Sequence, residues 1–358
     1  MHPCPDVKGH IMRKYRSIHR RVRVASFALA GVLVLSACTA PGTDAADTDE
    51  REHVTFALDW APNTNHIGIY AAEELGYFED AGIDVEILPY GSTAVAELVS
   101  AGAADFGSAG QANVQLARTA GRDVVSVFQV TQTDTGQIVF LGDREDITRP
   151  ADLDGSIFGG FGSPLYSALA RTVIRNDGGT GEIQEVVLDT GAYEALSQSR
   201  IDFTLSVSTW EDIQADIDGH PYGAFRYQDF GVPDVQSTGI VSSDTYLEAH
   251  PDTARAFVQA VQRGYTYAAQ NPDEAADILI RANPDTLAGA EDLVTRSARL
   301  LAERYFVADD VAIGAAVPEK WEEFGAFLLD NGILTDGSGD VVTETPDWSQ
   351  YYTSDYLE

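Results

Sequence analysis

Residues 59–66 read D-W-A-P-N-T-N-H, which sets a carboxylate, an indole, two amides and an imidazole within eight positions. Neither strand alternation nor helical period accommodates that run, so it reads as a loop. A carboxylate beside a flat aromatic face suits a planar ligand that offers N–H donors or positive charge. Asp59 and Trp60 are therefore candidates for ligand contact, with Asn63 and His66 next to them. The competing reading has Asp59 capping the following helix, Trp60 filling the core and His66 as a satisfied structural group. Similar polar or aromatic groups recur downstream: Gly110 and Gln111, the run G-G-F-G-S-P at 159–164 with Gly162 and Ser163, Tyr193 and Glu194, and Trp210 and Glu211. Glu194 and Glu211 supply further acceptors, and Tyr193 and Trp210 further faces. The Gly-rich run offers backbone N–H groups and Ser163 at a helix start, a cradle for an anion, though a tight turn with Pro164 at the first helical position explains it equally well. It has neither the Gly-Lys-Ser/Thr of a nucleotide-binding loop nor dinucleotide-fingerprint spacing. The sequence has no His-x-x-x-His, Cys pair, EF-hand loop or nucleophile elbow, so no metal and no catalytic residue is expected.

Each group follows a strand-like segment. Residues 54–58, 83–88, 105–108 and 124–130 read as strands. Helical spacing fills 66–75, 94–100 (with Ser92 as its cap) and 111–119. This β-α rhythm predicts a largely parallel sheet with helices on its faces. Residues 137–141 read as a strand leaving that unit. A second series follows: strands 156–158, 185–188 and 203–207, helices 165–176 and 193–198, and a return strand at 239–242. Two α/β halves joined by two crossovers imply two lobes with a ligand cleft between them, lined by loops at the carboxyl ends of the strands. The last third is helical, over 251–270, 272–282, 291–305 and 319–331, with an aromatic tail holding Trp348, Tyr351, Tyr352 and Tyr356.

The chain has 358 residues and a formal net charge of −33, unevenly spread. Residues 1–37 hold seven basic side chains and one acid; the remainder has a net charge of −39. Phosphate neutralisation needs the opposite sign, which excludes a nucleic-acid binder. A basic stretch, an apolar run at 25–35 too short to span a bilayer, and L-S-A-C at 35–38 together resemble a bacterial lipoprotein signal, with Cys38 acylated. Met12 is an alternative start. Residues 39–52 are small, polar and acidic and read as a tether. After cleavage one Cys remains, so no internal disulfide is expected. These features predict a protein secreted across the cytoplasmic membrane and lipid-anchored to its outer face.

The run L-D-W-A-P-N-T-N-H-I-G-I-Y-A-A-E-E-L-G-Y-F-E-D-A-G-I-D-V resembles the opening of solute-binding proteins of the thiamine-pyrimidine-precursor (NMT1/THI5-like) family. The likeness continues through G-A-A-D-F-G-S-A-G-Q, D-L-D-G-S-I-F-G-G-F-G-S-P, N-D-G-G and A-Y-E-A-L, and spans roughly residues 53–305. The resemblance implies an α/β, two-lobed periplasmic-binding-protein fold of type II, with mixed parallel sheets. It implies a receptor that closes on a hydroxymethyl- or formylamino-pyrimidine, with Asp59, Trp60, His66 and Glu194 lining the cleft and the loop at 159–163 nearby. The partners implied are that solute, an ABC permease with its ATPase, and the membrane through Cys38, with the receptor a monomer and without a cofactor. Expected limits are a signal peptide at 1–37, a tether at 38–52, lobe 1 at 53–140 plus 236–345, lobe 2 at 141–235 and a tail at 346–358. Riboflavin, alkylsulfonate, taurine and nitrate are alternative solutes. An anion would draw on Arg171 and Arg175. One branch of the family is a pyrimidine synthase that consumes its own histidine and carries a Cys-rich iron segment; residues 225–246 here contain no Cys.

Overall fold

The structure, a computed structural model, describes residues 51–358. The signal segment, Cys38 and most of the tether lie outside the described residues. The strands in the first half of the chain are β1 (Glu52–Ala57), β2 (Ile83–Leu88), β3 (Phe106–Ser108), β4 (Val125–Gln129) and β5 (Gly136–Leu141). The second half contributes β6 (Ile157–Gly160), β7 (Gln184–Val187), β8 (Thr204–Val207), β9 (Tyr222–Arg226) and β10 (Gly239–Ser242).

One sheet has the order β2-β1-β3-β10-β4, with β1 parallel to both neighbours and β10 antiparallel to β3 and β4. β1 is central because Val54 and Phe56 are fully buried while Thr55 is tied to Asp105, which accepts from both its amide and its hydroxyl at 2.8 Å. The other half repeats the pattern. β6 pairs in parallel with β7, β5 lies antiparallel between β8 and β9, and a Phe158–Phe203 bridge joins β6 to the start of β8. In both lobes, then, the antiparallel strand is donated by the other half of the chain. That exchange creates the two crossovers.

The helices Pro251–Gln270, Pro272–Ala282 and Glu291–Arg304 pack on the first lobe, with Phe257, Val261 and Tyr265 in its core. Three of the four C-terminal helices carry Pro in their first turn, where the missing N–H costs nothing. Trp348 of the tail is buried against Gly325 of the helix Pro318–Asp330. The tail then runs beside β4, where Ser126 donates to the Tyr351 carbonyl at 3.0 Å and accepts from Thr353 at 2.8 Å. No helix of the described residues is long and apolar enough to cross a membrane.

Several expectations need correction. Glu52 already pairs with Ile83, and Arg51 bonds Glu79, so the tether ends before residue 52. Ser92 caps nothing: the helix Val95–Ser100 starts from Ala94 without a side-chain cap. The chain has crossed to the second sheet by Gly136, ahead of the expected limit at 140. The edge strand β9 and the helix Glu211–Ile217 were not foreseen.

Candidate functional site

The loop after β1 is built around His66. Asn63 opens a short 3-10 turn (Thr64–His66): its Oδ1 accepts from the Asn65 amide at 2.9 Å and its side-chain amide donates to the Ala61 carbonyl at 2.9 Å. The Asn63 backbone N–H donates to His66 Nδ1 at 3.4 Å. That contact makes Nδ1 an acceptor, so the proton sits on Nε2 and is donated to Asp59 Oδ1 at 2.8 Å. His66 is only 1% exposed, whereas the Asp59 carboxylate is open to solvent. The buried imidazole therefore fixes one carboxylate oxygen and leaves the other free. Tyr265 holds the same loop through its hydroxyl, which donates to the Asn65 carbonyl at 2.6 Å.

Beside Asp59, Trp60 and Tyr90 form an aromatic pair with ring centroids 5.2 Å apart. They are 45% and 49% exposed, unusual for large aromatic side chains. Tyr90 follows β2 as Trp60 follows β1, so the carboxyl ends of two adjacent strands deliver one flat apolar surface.

The second lobe answers with its own aromatic group. Phe161 contacts Tyr166 edge-on at 5.7 Å and Tyr193 at 6.1 Å. Burial, then the charges of Asp134 and Asp59, raises the Tyr166 hydroxyl above its ordinary range. Asp59 stands on the first lobe, so this coupling brings the two lobes' groups within electrostatic reach across the cleft. Tyr193 is raised by burial and by Glu211. Glu211 is raised chiefly by burial, against a 2.9 Å bond from the Val207 amide. Asp212 is pushed up to about 6 by burial, although Ser206 and Gln137 both donate to it.

The crossovers form the floor. Asp234 accepts from the Thr133 hydroxyl at 2.8 Å, the Asp134 amide at 2.9 Å and Lys320 at 2.6 Å. Lys320 also donates to the Gln132 carbonyl. Asp134 is 9% exposed and is pushed up to about 7, first by burial and then by the charge of Asp234.

The structure sorts the residues singled out from sequence. It brings together Asp59, Trp60, Tyr193 and Glu211 with Tyr90, Tyr166, Asp134 and Asp212, none of which the sequence reading had named. Asn63 and His66 act on the protein: one shapes the turn, the other orients Asp59. Gln111 is fully buried and needs correction as a ligand contact, because its amide donates to the Lys320 carbonyl at 2.9 Å and accepts from the Gln236 amide at 3.1 Å. Gly110 packs so tightly on the second crossover that a Cβ would stand 1.9 Å from the Ser237 carbonyl oxygen. Gly162 takes a φ of 78°, which suits glycine, and Ser163 makes no side-chain cap bond for the helix Pro164–Asn176. Glu194 is exposed and bonds Gln198 at 2.8 Å, with Arg200 at 3.7 Å. Trp210 packs against the first lobe's core. Arg171 and Arg175 serve their own surroundings, donating to the Gly181 carbonyl at 3.0 Å and Thr172 Oγ1 at 3.2 Å. Among the described residues no group of three or more His, Cys, Asp or Glu side chains is placed to hold a metal. A groove of about 370 Å³ lined by Tyr77, Arg263 and Tyr267 shares no residue with this site.

Comparison with known proteins agrees with this architecture. The chain is 30% identical over 308 residues to the formylaminopyrimidine-binding protein of Halalkalibacterium halodurans, covering 84% of this chain and 91% of that one. It is 25% identical over 250 residues to the 4-amino-5-hydroxymethyl-2-methylpyrimidine phosphate synthase of Legionella pneumophila, covering 65% and 75%. The periplasmic aliphatic sulphonate binding protein SsuA from Escherichia coli shares the fold, with a TM-score of 0.61 at 14% identity, covering 84% of this chain and 91% of that one. A family model described as NMT1/THI5 like matches residues 63–275, and the chain belongs to that family.

Proposed function

We propose that this chain is the extracytoplasmic receptor of an ABC importer and closes on a small planar nitrogen heterocycle, a formylamino- or hydroxymethyl-pyrimidine. One observation carries the reading: an exposed aromatic pair, Trp60 and Tyr90, beside a carboxylate whose orientation a buried His66 sets. A flat ring gains dispersion and stacking on the aromatic surface, and its amino hydrogens find the free oxygen of Asp59. The second lobe adds Tyr166, Tyr193 and Glu211, so closure brings contacts that the open form lacks. The likeness to a formylaminopyrimidine-binding protein supports the same ligand class. Lobe 1 would be built on the β2-β1-β3-β10-β4 sheet and lobe 2 on the sheet holding β5 to β9, with the crossovers near 130–136 and 232–238 as hinges. The signal-like segment and Cys38 support a lipid-anchored monomer outside the cytoplasmic membrane.

An anion receptor is disfavoured because the cleft groups are acidic and aromatic while Arg171 and Arg175 are engaged elsewhere. A synthase that consumes its histidine is disfavoured because His66 is buried, with both ring nitrogens facing protein partners. A thermal-shift panel tests the reading, since a ligand that binds only the folded state raises apparent stability by mass action. Formylaminopyrimidine or hydroxymethylpyrimidine is expected to raise the melting temperature, with alkanesulfonate and nitrate inert. Stabilisation by an anion and by no heterocycle would overturn it.

A further inference from the structure

Asp134 lies between the two candidate groups and belongs to neither. It ends the first crossover, two residues before β5 begins. Its carboxyl accepts from the Gly136 amide at 2.8 Å and from the Thr135 amide. Among the described residues no side chain donates to it. The charged and titratable groups around it come from every neighbouring element. Asp234 sits on the second crossover, Arg226 ends β9, Tyr227 follows it, and Tyr166 stands on the helix Pro164–Asn176. Lys320, the cation at this floor, is already bonded to Asp234 and the Gln132 carbonyl. The Tyr166 hydroxyl senses Asp134 and Asp59 together, which sets the Asp134 carboxyl beneath the gap between the lobes.

A carboxylate this buried with no side-chain donor is costly unless something supplies one. We propose that Asp134 is a recognition residue at the cleft floor, accepting N–H bonds from the amino edge of the bound heterocycle while Asp59 and the Trp60–Tyr90 pair hold its outer edge and face. The inference rests on the proposed ligand class. It also couples binding to a proton. In the free protein Asp134 stands at about 7, so near neutrality half of the molecules carry a protonated acid there. A ligand that donates N–H bonds needs the ionised form. The competent fraction rises from about a tenth to about nine-tenths between about pH 6 and pH 8, so apparent affinity rises about tenfold.

The test is calorimetric titration of formylaminopyrimidine into the wild-type chain and the Asp134→Asn variant across that range. The ligand's own titration is common to both proteins and cancels in their ratio. The ratio of wild-type to variant affinity should grow about tenfold from the acid to the alkaline end. On the wild type, titrations near neutrality in two buffers of different ionisation enthalpy should show release of about half a proton from the protein, beyond what the ligand itself contributes. That second measurement stands even if the variant folds poorly. Parallel profiles, or no protein proton released, overturn the assignment of Asp134 while leaving the ligand class intact. Failure of the wild type to bind formylaminopyrimidine at any pH removes the ligand class and this inference together.

Discussion

Replacing Asp59 with Asn separates the two roles the structure gives this carboxylate. Asn retains an oxygen that can accept from His66 Nε2–H, now 2.8 Å from Asp59, so the buried imidazole keeps its partner. What Asn lacks is charge. A hydrogen bond to a charged acceptor contributes ~1.5–3 kcal/mol against ~0.5–1.5 kcal/mol for a neutral one, so the exchange costs ~1–2 kcal/mol of binding, or about 5–30-fold in Kd. Melting temperature should barely move. Asp59→Ala behaves differently, because it also strands the N–H of a side chain that is 1% exposed. An unsatisfied buried donor costs ~1–3 kcal/mol, enough to lower the melting temperature by ~2–6 °C. Calorimetric titration with formylaminopyrimidine reads the first quantity and scanning calorimetry of the free protein the second. An Asn variant that binds as tightly as wild type, or an Ala variant that melts with it, would refute the orientation argument.

Three further outcomes follow from the same geometry. Trp60→Ala should weaken heterocycle binding by ~1–3 kcal/mol through lost stacking, measured by titration, with little change in melting because the side chain is exposed. Lys320→Met should destabilise the free protein by ~1–3 kcal/mol at neutral pH, measured by urea unfolding. Burial alone would raise Asp234, but the Lys320 bond, with the Asp134 amide and Thr133 hydroxyl, holds it below the usual range. Such a lowered group stabilises above the unfolded-state pKa and loses that contribution as pH falls through the folded one, so the gap between wild type and variant should close below about pH 4. Asp212→Asn should act in the opposite direction. Asp212 is held up at about 6, so the folded state is favoured while it is protonated and loses that advantage as pH rises through this value. The Asn variant should therefore melt higher than wild type at mildly alkaline pH, by ~2 kcal/mol or less in stability, and equally near pH 4. Equal melting at both ends would contradict the buried, unpaired character of that carboxyl.

The strands of the first sheet and the C-terminal helices were legible from local pattern. Residues 251–270 and 272–282 end where expected, because Pro at the start and a polar residue before it mark helix beginnings unambiguously. β9 escaped because Y-G-A-F-R alternates weakly and the strand lies at a sheet edge. The site divided along the same line. Asp59 and Trp60 were visible because a carboxylate and an indole interrupt a strand with no local reason. Asn63 and Gln111 look equally polar in sequence, yet their amides serve the turn and the second crossover. Tyr90, Tyr166, Asp134 and Lys320 were invisible for a different reason. They are scattered over more than two hundred residues and meet only because each lobe takes one strand from the other half of the chain.

The most direct test of the account is a crystal structure of the chain with formylaminopyrimidine. The account predicts a planar ring between the Trp60–Tyr90 surface and Tyr166 or Tyr193, with an amino hydrogen on the free oxygen of Asp59 and His66 still behind it. A ring bound elsewhere, such as in the groove beside Tyr77 and Arg263, or a cleft holding an anion on the Gly-rich loop, would contradict it.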